Sequence, residues 1–323
     1  MSAAFPVFQP DRSEDPHKGG DPKRLPRTQN DHPGGMSRRG FLTTGAAGLG
    51  AILLPVCATA DEPPVNPDQQ SSVLVDLTRC IGCRACENAC RLRQNRPGLP
   101  TEGFGYGPGE GRLSFTTWTF VDFRTAHGQP AAKTRFSVKK QCMHCLDAAC
   151  VSACPVAALH KTPRGSVVYE ASRCIGCRYC MIACPFSVPR YEWNEGVTPR
   201  VGKCDFCDDR VADGRVPACV AACPTGTLRF GKRPEILREA LMRLSANPKR
   251  YVSIYGDKVV GGTAWIYLSD VPMNQLGFRT DLPSVALPSL TWKALSKVPI
   301  VVVTLALVLS GIYRLRNRRL VHV

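Results

Sequence analysis

Cys80-Ile81-Gly82-Cys83-Arg84-Ala85-Cys86-Glu87-Asn88-Ala89-Cys90 sets four cysteines at the spacing C-x2-C-x2-C-x3-C, and Cys174, Cys177, Cys180 and Cys184 repeat it. Two more groups keep the x2 and the final x3 but stretch one gap. Cys142, Cys145, Cys150 and Cys154 stretch it to x4, and Cys204, Cys207, Cys219 and Cys223 to x11. Of the 17 cysteines in the chain, only Cys57 lies outside these four quartets. Pro155, Pro185 and Pro224 follow the last cysteine of their groups, and Arg91 stands at that place in the first.

This is the run by which bacterial ferredoxins hold cubane iron–sulfur clusters. Three thiolates two residues apart wrap one cube on a tight loop. The fourth, three residues on, points away and ligates the other cluster of a pair. A proline after it suits the turn, because it fixes φ and needs no N–H partner. Sixteen thiolates so arranged fit four 4Fe–4S clusters. Structural zinc needs only four cysteines per site and has no use for the third step or the repeated x3-Cys-Pro. Disulfides do not call for one quartet four times. His144, inside the second quartet, reads as a loop residue donating to a cluster or facing solvent, since all four cysteines are present. Tyr179 and Phe206, between ligands, read as shields against water.

The 323 residues allow one or two domains with a sizeable core. The formal charge of +16 counts cysteines as neutral. Each loaded cluster with its thiolates carries about −2, so the charged protein is only moderately basic. No Lys/Arg face interleaved with aromatics points to nucleic acid. No nucleophile elbow, phosphate loop or zinc-hydrolase helix is present, so the chain reads as no enzyme on its own.

Residues 1–35 are polar and rich in Pro, Gly and Asp, and are expected to be a disordered extension or to precede the true start at Met36. Residues 36–60 read as a twin-arginine signal: Arg38 and Arg39, an apolar run from Phe41 to Val56, and Ala58-Thr59-Ala60 for cleavage. Cys57 would leave with it. That export route carries folded cargo, which reconciles clusters with a place outside the cytoplasm. Residues 61–72 are a linker. Residues 73–231 form the four-cluster domain. Strands are expected at Ser72–Leu77, Leu113–Phe123 pairing with Thr134–Lys139, Val167–Tyr169 and Thr227–Phe230. Arg79-Cys80-Ile81-Gly82-Cys83-Arg84 recurs as Arg173-Cys174-Ile175-Gly176-Cys177-Arg178, an internal repeat that argues for duplicated ferredoxin units. Gly82 and Gly176 sit where the backbone passes a cube and are expected at positive φ. Residues 232–297 read as an extension packed on that domain. It has a helix at Pro234–Leu244 with Ile236, Leu237, Ala240, Leu241 and Leu244 on one face, a last strand at Trp265–Leu268, and loop over 272–297. Residues 298–313 carry no charge and read as a transmembrane helix. At 1.5 Å per residue it covers about 24 Å, a little short of a ~30 Å hydrocarbon core. The basic tail 314–323, with Arg314, Arg316, Arg318 and Arg319, suits the cytoplasmic side. The fold class is therefore α+β: duplicated ferredoxin-like units plus one C-terminal span.

From Ser72 to the C-terminus the chain resembles the four-cluster iron–sulfur subunits of membrane-bound oxidoreductases, namely formate dehydrogenase, dimethyl sulfoxide reductase and hydrogenase-2 type complexes. Lys139-Lys140-Gln141-Cys142-Met143-His144-Cys145 and Gly176-Cys177-Arg178-Tyr179-Cys180-Met181-Ile182-Ala183-Cys184-Pro185, with the twin-arginine signal and the C-terminal span, look closest to the hydrogenase-2 type. The resemblance implies an interleaved ligand assignment. Cluster one takes Cys80, Cys83, Cys86 and Cys223. Cluster two takes Cys90, Cys204, Cys207 and Cys219. Cluster three takes Cys142, Cys145, Cys150 and Cys184. Cluster four takes Cys154, Cys174, Cys177 and Cys180. It also implies two partners: an exported catalytic subunit, either a nickel–iron hydrogenase or a molybdopterin enzyme, and a quinone-reactive integral membrane subunit. The expected place is the periplasmic face of the cytoplasmic membrane. A rival role for the clusters, as structural staples or a redox sensor, does not explain four of them in two linked pairs.

Overall fold

The structure is a computed structural model that describes residues 66, 68–96, 112–125, 135–196 and 200–320. They fall within one unit, Ala60–Val323. The signal with Arg38 and Arg39, the extension before it, Cys57 and most of the linker lie outside the described residues.

The strand expected at Ser72 runs from Ser71 to Asp76 (β1) and is buried at every position. Alternation of side chains across a strand explains why both faces are apolar. Val73 and Val75 point to the side where the cysteines lie, and Leu74 to the other. A 3-10 turn at Leu77–Arg79, started by Asp76 accepting from the Thr78 N–H, turns the chain into the first quartet. Helix α1 (Ala85–Arg93) carries Cys86 and Cys90. Strands β2 (Thr119–Thr125) and β3 (Arg135–Gln141) pair antiparallel as one hairpin. β2 starts later than the Leu113 expected, because Ser114 Oγ accepts from the N–H groups of Thr116 and Thr117 and bends that segment.

Short elements then frame the middle quartets: α2 (Ala149–Ser152), β4 (Leu159–Lys161) paired with β5 (Val167–Tyr169), α3 (Tyr179–Ala183), and β6 (Arg190–Tyr191) paired with β7 (Val201–Gly202). After them come α4 (Asp208–Ala212), α5 (Ala218–Ala221), β8 (Leu228–Lys232) and α6 (Arg233–Ala246). β9 (Ser253–Tyr255), with no sequence signal recognised, and β10 (Trp265–Ser269) complete a four-stranded sheet in the order β8-β1-β10-β9. β1 runs parallel to β10 and antiparallel to β8. Trp265 and Tyr267 join Val73 and Val75 on the cysteine side, while Ile266 and Leu268 pack with Leu74 under Ile236 and Ala240 of α6. The sheet is thus a wall between α6 and the quartets. Leu241, expected on the packed face, is exposed. The row Ile236, Ala240, Leu244 at i, i+4, i+8 faces the sheet, and Leu241 stands one residue off it.

Residues 272–297 are not all loop. A 3-10 turn spans Met273–Leu276, and α7 covers Leu287–Leu295. Pro288 lies in its first turn, where a proline starts a helix rather than breaking one. Helix α8 (Val298–Leu320) begins where the apolar run does but continues past Tyr313 through the first arginines. The stretch Leu287–Asn317 is long and apolar enough to cross a membrane, and none of it is buried against the protein.

Candidate iron–sulfur centres

The two copies of Arg-Cys-Ile-Gly-Cys-Arg adopt one backbone. Gly82 and Gly176 have φ of 72° and 71°. Arg84 and Arg178 follow in the left-handed region at 57° and 63°, each immediately before its helix. A 3-10 turn precedes each copy. The loops therefore bend the same way, and each carries its cysteines into a helix start. At Gly82 the turn also has no room: an added Cβ would lie 2.6 Å from Ser137 Oγ and 2.7 Å from the Phe123 ring.

Sequence-distant cysteines meet. Cys80, Cys83, Cys86 and Cys223 line one cavity of about 30 Å³ with Ile81, Lys139 and Pro224. Burial pushes up the thiols of Cys80, Cys86, Cys90, Cys142, Cys145, Cys150, Cys180, Cys184, Cys204 and Cys207, and neighbouring thiols add to it. Cys80 feels Cys223 and Cys83. Cys90 and Cys207 each feel Cys219, and Cys204 feels Cys90. Cys145 feels Cys142, Cys184 and Cys150. Cys180, pushed up to about 12, feels Cys154, Cys174 and Cys177. Three further neighbours join these groups end to end: Cys86 with Cys219, Cys204 with Cys142, and Cys180 with Cys150. The packing of α1 on α5 and of α2 on α3 makes two of those junctions.

The donor set fits iron–sulfur clusters. Among the described residues, no group of three or more His, Cys, Asp or Glu side chains closes on a single ion. Zinc would hold four sulfurs at about 2.3 Å from one centre, whereas a cube keeps its thiolates further apart. Donors for cluster sulfurs are in place. The Phe206 N–H lies 3.4 Å from Cys204 Sγ, and Gln94 Nε2 lies 3.2 Å from Cys90 Sγ. Cys223 is the exception to the upward shifts: burial raises it, but the N–H groups of Leu228, Thr227 and Thr225 and the Thr225 hydroxyl outweigh burial and hold it below the ordinary thiol value.

Four side chains differ from expectation or escaped it. His144 lies in the loop expected but does not face solvent. It is buried, its Nδ1 accepts the Val167 N–H at 2.9 Å, and its ring meets Phe206 edge-on. Burial and then Lys203, Lys161 and Lys139 hold its pKa well below the usual value. The neutral ring therefore carries its proton on Nε2. Phe206 does shield: it is buried against Trp265 at a centroid distance of 5.7 Å. Tyr179 does not, being more than half exposed. Lys139 and Lys203 are both buried beside the cysteines. A lysine in a polar-looking Ser-Val-Lys-Lys-Gln stretch gives no sign of burial, and alternation from Phe136 and Val138 would have turned Lys140, not Lys139, to their face.

Comparison with known proteins agrees with this chemistry. Residues 134–233 match a 4Fe-4S dicluster domain and residues 77–99 a 4Fe-4S binding domain. A protein of Nitratidesulfovibrio vulgaris is 42% identical over 291 residues, covering 88% of this chain and 78% of the relative. The hydrogenase-2 operon protein HybA of Escherichia coli O157:H7 is 36% identical over 287 residues, 77% of this chain and 84% of that protein. The iron-sulfur subunit of the nitrate-inducible formate dehydrogenase of Escherichia coli K12 is 35% identical over 232 residues, 69% of this chain and 77% of that subunit.

Proposed function

Because the chain belongs to the iron–sulfur electron-transfer subunits of the HybA and formate dehydrogenase type, we propose that it relays electrons through four 4Fe–4S clusters between an exported catalytic subunit and a quinone-reactive membrane subunit. When bound, the clusters supply one-electron exchange. The residues would hold them in the interleaved sets: Cys80, Cys83, Cys86 and Cys223; Cys90, Cys204, Cys207 and Cys219; Cys142, Cys145, Cys150 and Cys184; Cys154, Cys174, Cys177 and Cys180. The observation that carries this reading is the order of the thiols. The four sets adjoin in the order one, two, three, four: α1 with Cys86 packs on α5 with Cys219, Cys204 and Cys142 share one buried cluster, and α2 with Cys150 packs on α3 with Cys180. A line of sets suits a relay; scattered staples would need no order.

The chain's own residues do three things for such a relay. The left-handed turns at Arg84 and Arg178 lead each loop into the helix that carries its next cysteine. Phe206, Trp265 and Tyr267 keep water from the sheet side. The apolar stretch Leu287–Asn317 anchors the domain to the membrane, with Arg314 and Arg316 on the cytoplasmic side. Export through the twin-arginine signal at Arg38 and Arg39 places the cysteine domain in the periplasm. HybA favours a nickel–iron hydrogenase as the catalytic partner. The formate dehydrogenase likeness supports the second reading, a molybdopterin enzyme.

The test is purification from detergent-solubilised native membranes. About sixteen iron and sixteen sulfide per chain are expected, with nickel in the co-purifying complex. Molybdenum or tungsten in place of nickel would shift the reading to the second partner. Iron for two clusters or fewer would end the four-cluster relay.

A further inference from the structure

Among the described residues, the buried ammonium of Lys139 has no carboxylate partner. Its residue is 2% exposed. Nζ donates to Thr119 Oγ1 at 2.8 Å and to Gln141 Oε1 at 2.9 Å, and lies 4.5 Å from the centroid of the Trp265 ring. Each of these is neutral. Among the described residues no carboxylate pairs with it, and nearby Glu87 is engaged by Arg84 and by the Val121 N–H. An unpaired charge taken out of water costs several kcal/mol, at least in order of magnitude, and proteins do not keep one without compensation. Gln141 is itself fixed by donating to Tyr267 at 2.6 Å, so the amide oxygen is turned toward the ammonium.

The position supplies the missing charge. Lys139 lines the same cavity as Cys80, Cys83, Cys86 and Cys223, and it acts on Cys90 and Cys204 of the adjoining set as well. It stands at the junction of the first and second sets. We infer that the Lys139 ammonium is the internal counter-charge shared by the first and second clusters, and that it holds their reduction potentials above the value a neutral residue there would give. The inference rests on the cluster assignment proposed above. Its physics is simple: one-electron reduction adds one negative charge with no bond made or broken, and a fixed cation nearby stabilises the more negative form, strongly where water is excluded. Lys139 is thus a positioning and tuning residue and not a ligand.

The experiment is potentiometric titration followed by paramagnetic resonance on the full-length, cluster-loaded protein, comparing wild type with Lys139→Met and Lys139→Arg. Iron and sulfide are measured first. Lys139→Met is expected to lower the reduced-to-oxidised ratio of two clusters by tenfold or more at fixed ambient potential, which is about 59 mV for one electron. The other two clusters should stay within threefold. Lys139→Arg, which keeps the charge, should hold all four within threefold. If the methionine variant fails to load the first two clusters while the arginine variant loads them, the charge is needed even for assembly, which supports the inference. If both variants lose the same clusters alike, the side chain acts by shape and the inference falls. Full loading with unshifted potentials in Lys139→Met overturns it alone. A wild-type chain without clusters at these two sets overturns the assignment and the inference together.

Discussion

The first and third quartets share six consecutive residues and one backbone, yet they live in different surroundings. Around the first, Gly82 is pressed against Ser137 and Phe123 of the β2–β3 hairpin. Arg84 and Glu87, both almost fully buried, form an ion pair at 3.0 Å. Around the third, Arg178 stacks over the rings of Tyr191 and Trp193 at 4.9 Å from each. Cys177 is exposed and Ile182 is 85% exposed. The short motif dictates the turn and the helix start. What covers it comes from elsewhere in the chain: a hairpin for one copy, open surface for the other. The same six residues can therefore serve a buried end and an open end of one line of thiols.

The largest expected effect breaks the buried end. In Glu87→Gln the Arg84 guanidinium loses the carboxylate that pairs with it at 3.0 Å while remaining out of water. The Val121 N–H, which donates to the other Glu87 oxygen, keeps a weaker acceptor. Removing one member of a buried pair costs about 3–5 kcal/mol. The matching change at the open end, Arg178→Ala, removes only ring contacts worth about 0.5–1 kcal/mol each. Denaturant unfolding of the two loaded variants measures the contrast. Equal losses would mean that the open end is as tightly built as the buried one.

A smaller contrast comes from the paired glycines. Both sit at φ near 70°, where an L side chain costs about 1–2 kcal/mol. Gly82→Ala adds overlap with Ser137 and Phe123, and overpacking of this kind costs about 1–3 kcal/mol more. Gly82→Ala should therefore lose more in denaturant unfolding than positive φ alone explains. A loss of no more than about 2 kcal/mol would mean that Ser137 and Phe123 give way.

The glycines also show what the chain makes legible. Positive φ at Gly82 and Gly176 follows from the Ile-Gly-Cys step against a cube, and it is present. The strands at β1 and β10 follow from their apolar runs, because both faces of the sheet are covered, and β5 from Val167-Val168-Tyr169. The cysteine quartets announce the site by spacing alone. Burial of Lys139, Arg84 and Glu87 was not legible, since a charged side chain gives no local signal that its partners will close over it. The helix at Leu287–Leu295 was hidden by prolines that punctuate loops and helix starts alike. The interleaving of distant quartets came from resemblance. What brings distant cysteines together is tertiary: α5 brings Cys219 to α1, and the chain after it brings Cys223 to the first loop.

The smallest effect sharpens the comparison at its open end. Ile182 sits in α3 between Cys180 and Cys184, where its side chain meets almost no neighbour in the chain. Tyr179, Ile175 and Trp193 are likewise more than half exposed. An exposed apolar side chain contributes nothing by burial in the isolated chain, so Ile182→Ser should change unfolding by less than about 0.5 kcal/mol. Cluster loading, read as iron per chain, should also be unchanged. Four large apolar residues exposed around one quartet form a patch of the kind that marks an interaction site. In the solubilised membrane complex the same variant should therefore weaken co-purification of a partner subunit, while Ile81→Ser at the first quartet, an exposed apolar residue outside that patch, serves as the control. A loss above about 1 kcal/mol in the isolated chain would exceed the surface range and mean that Ile182 is covered by the chain itself. Unchanged co-purification would leave the patch without a role in docking, and the two quartets would differ in exposure alone.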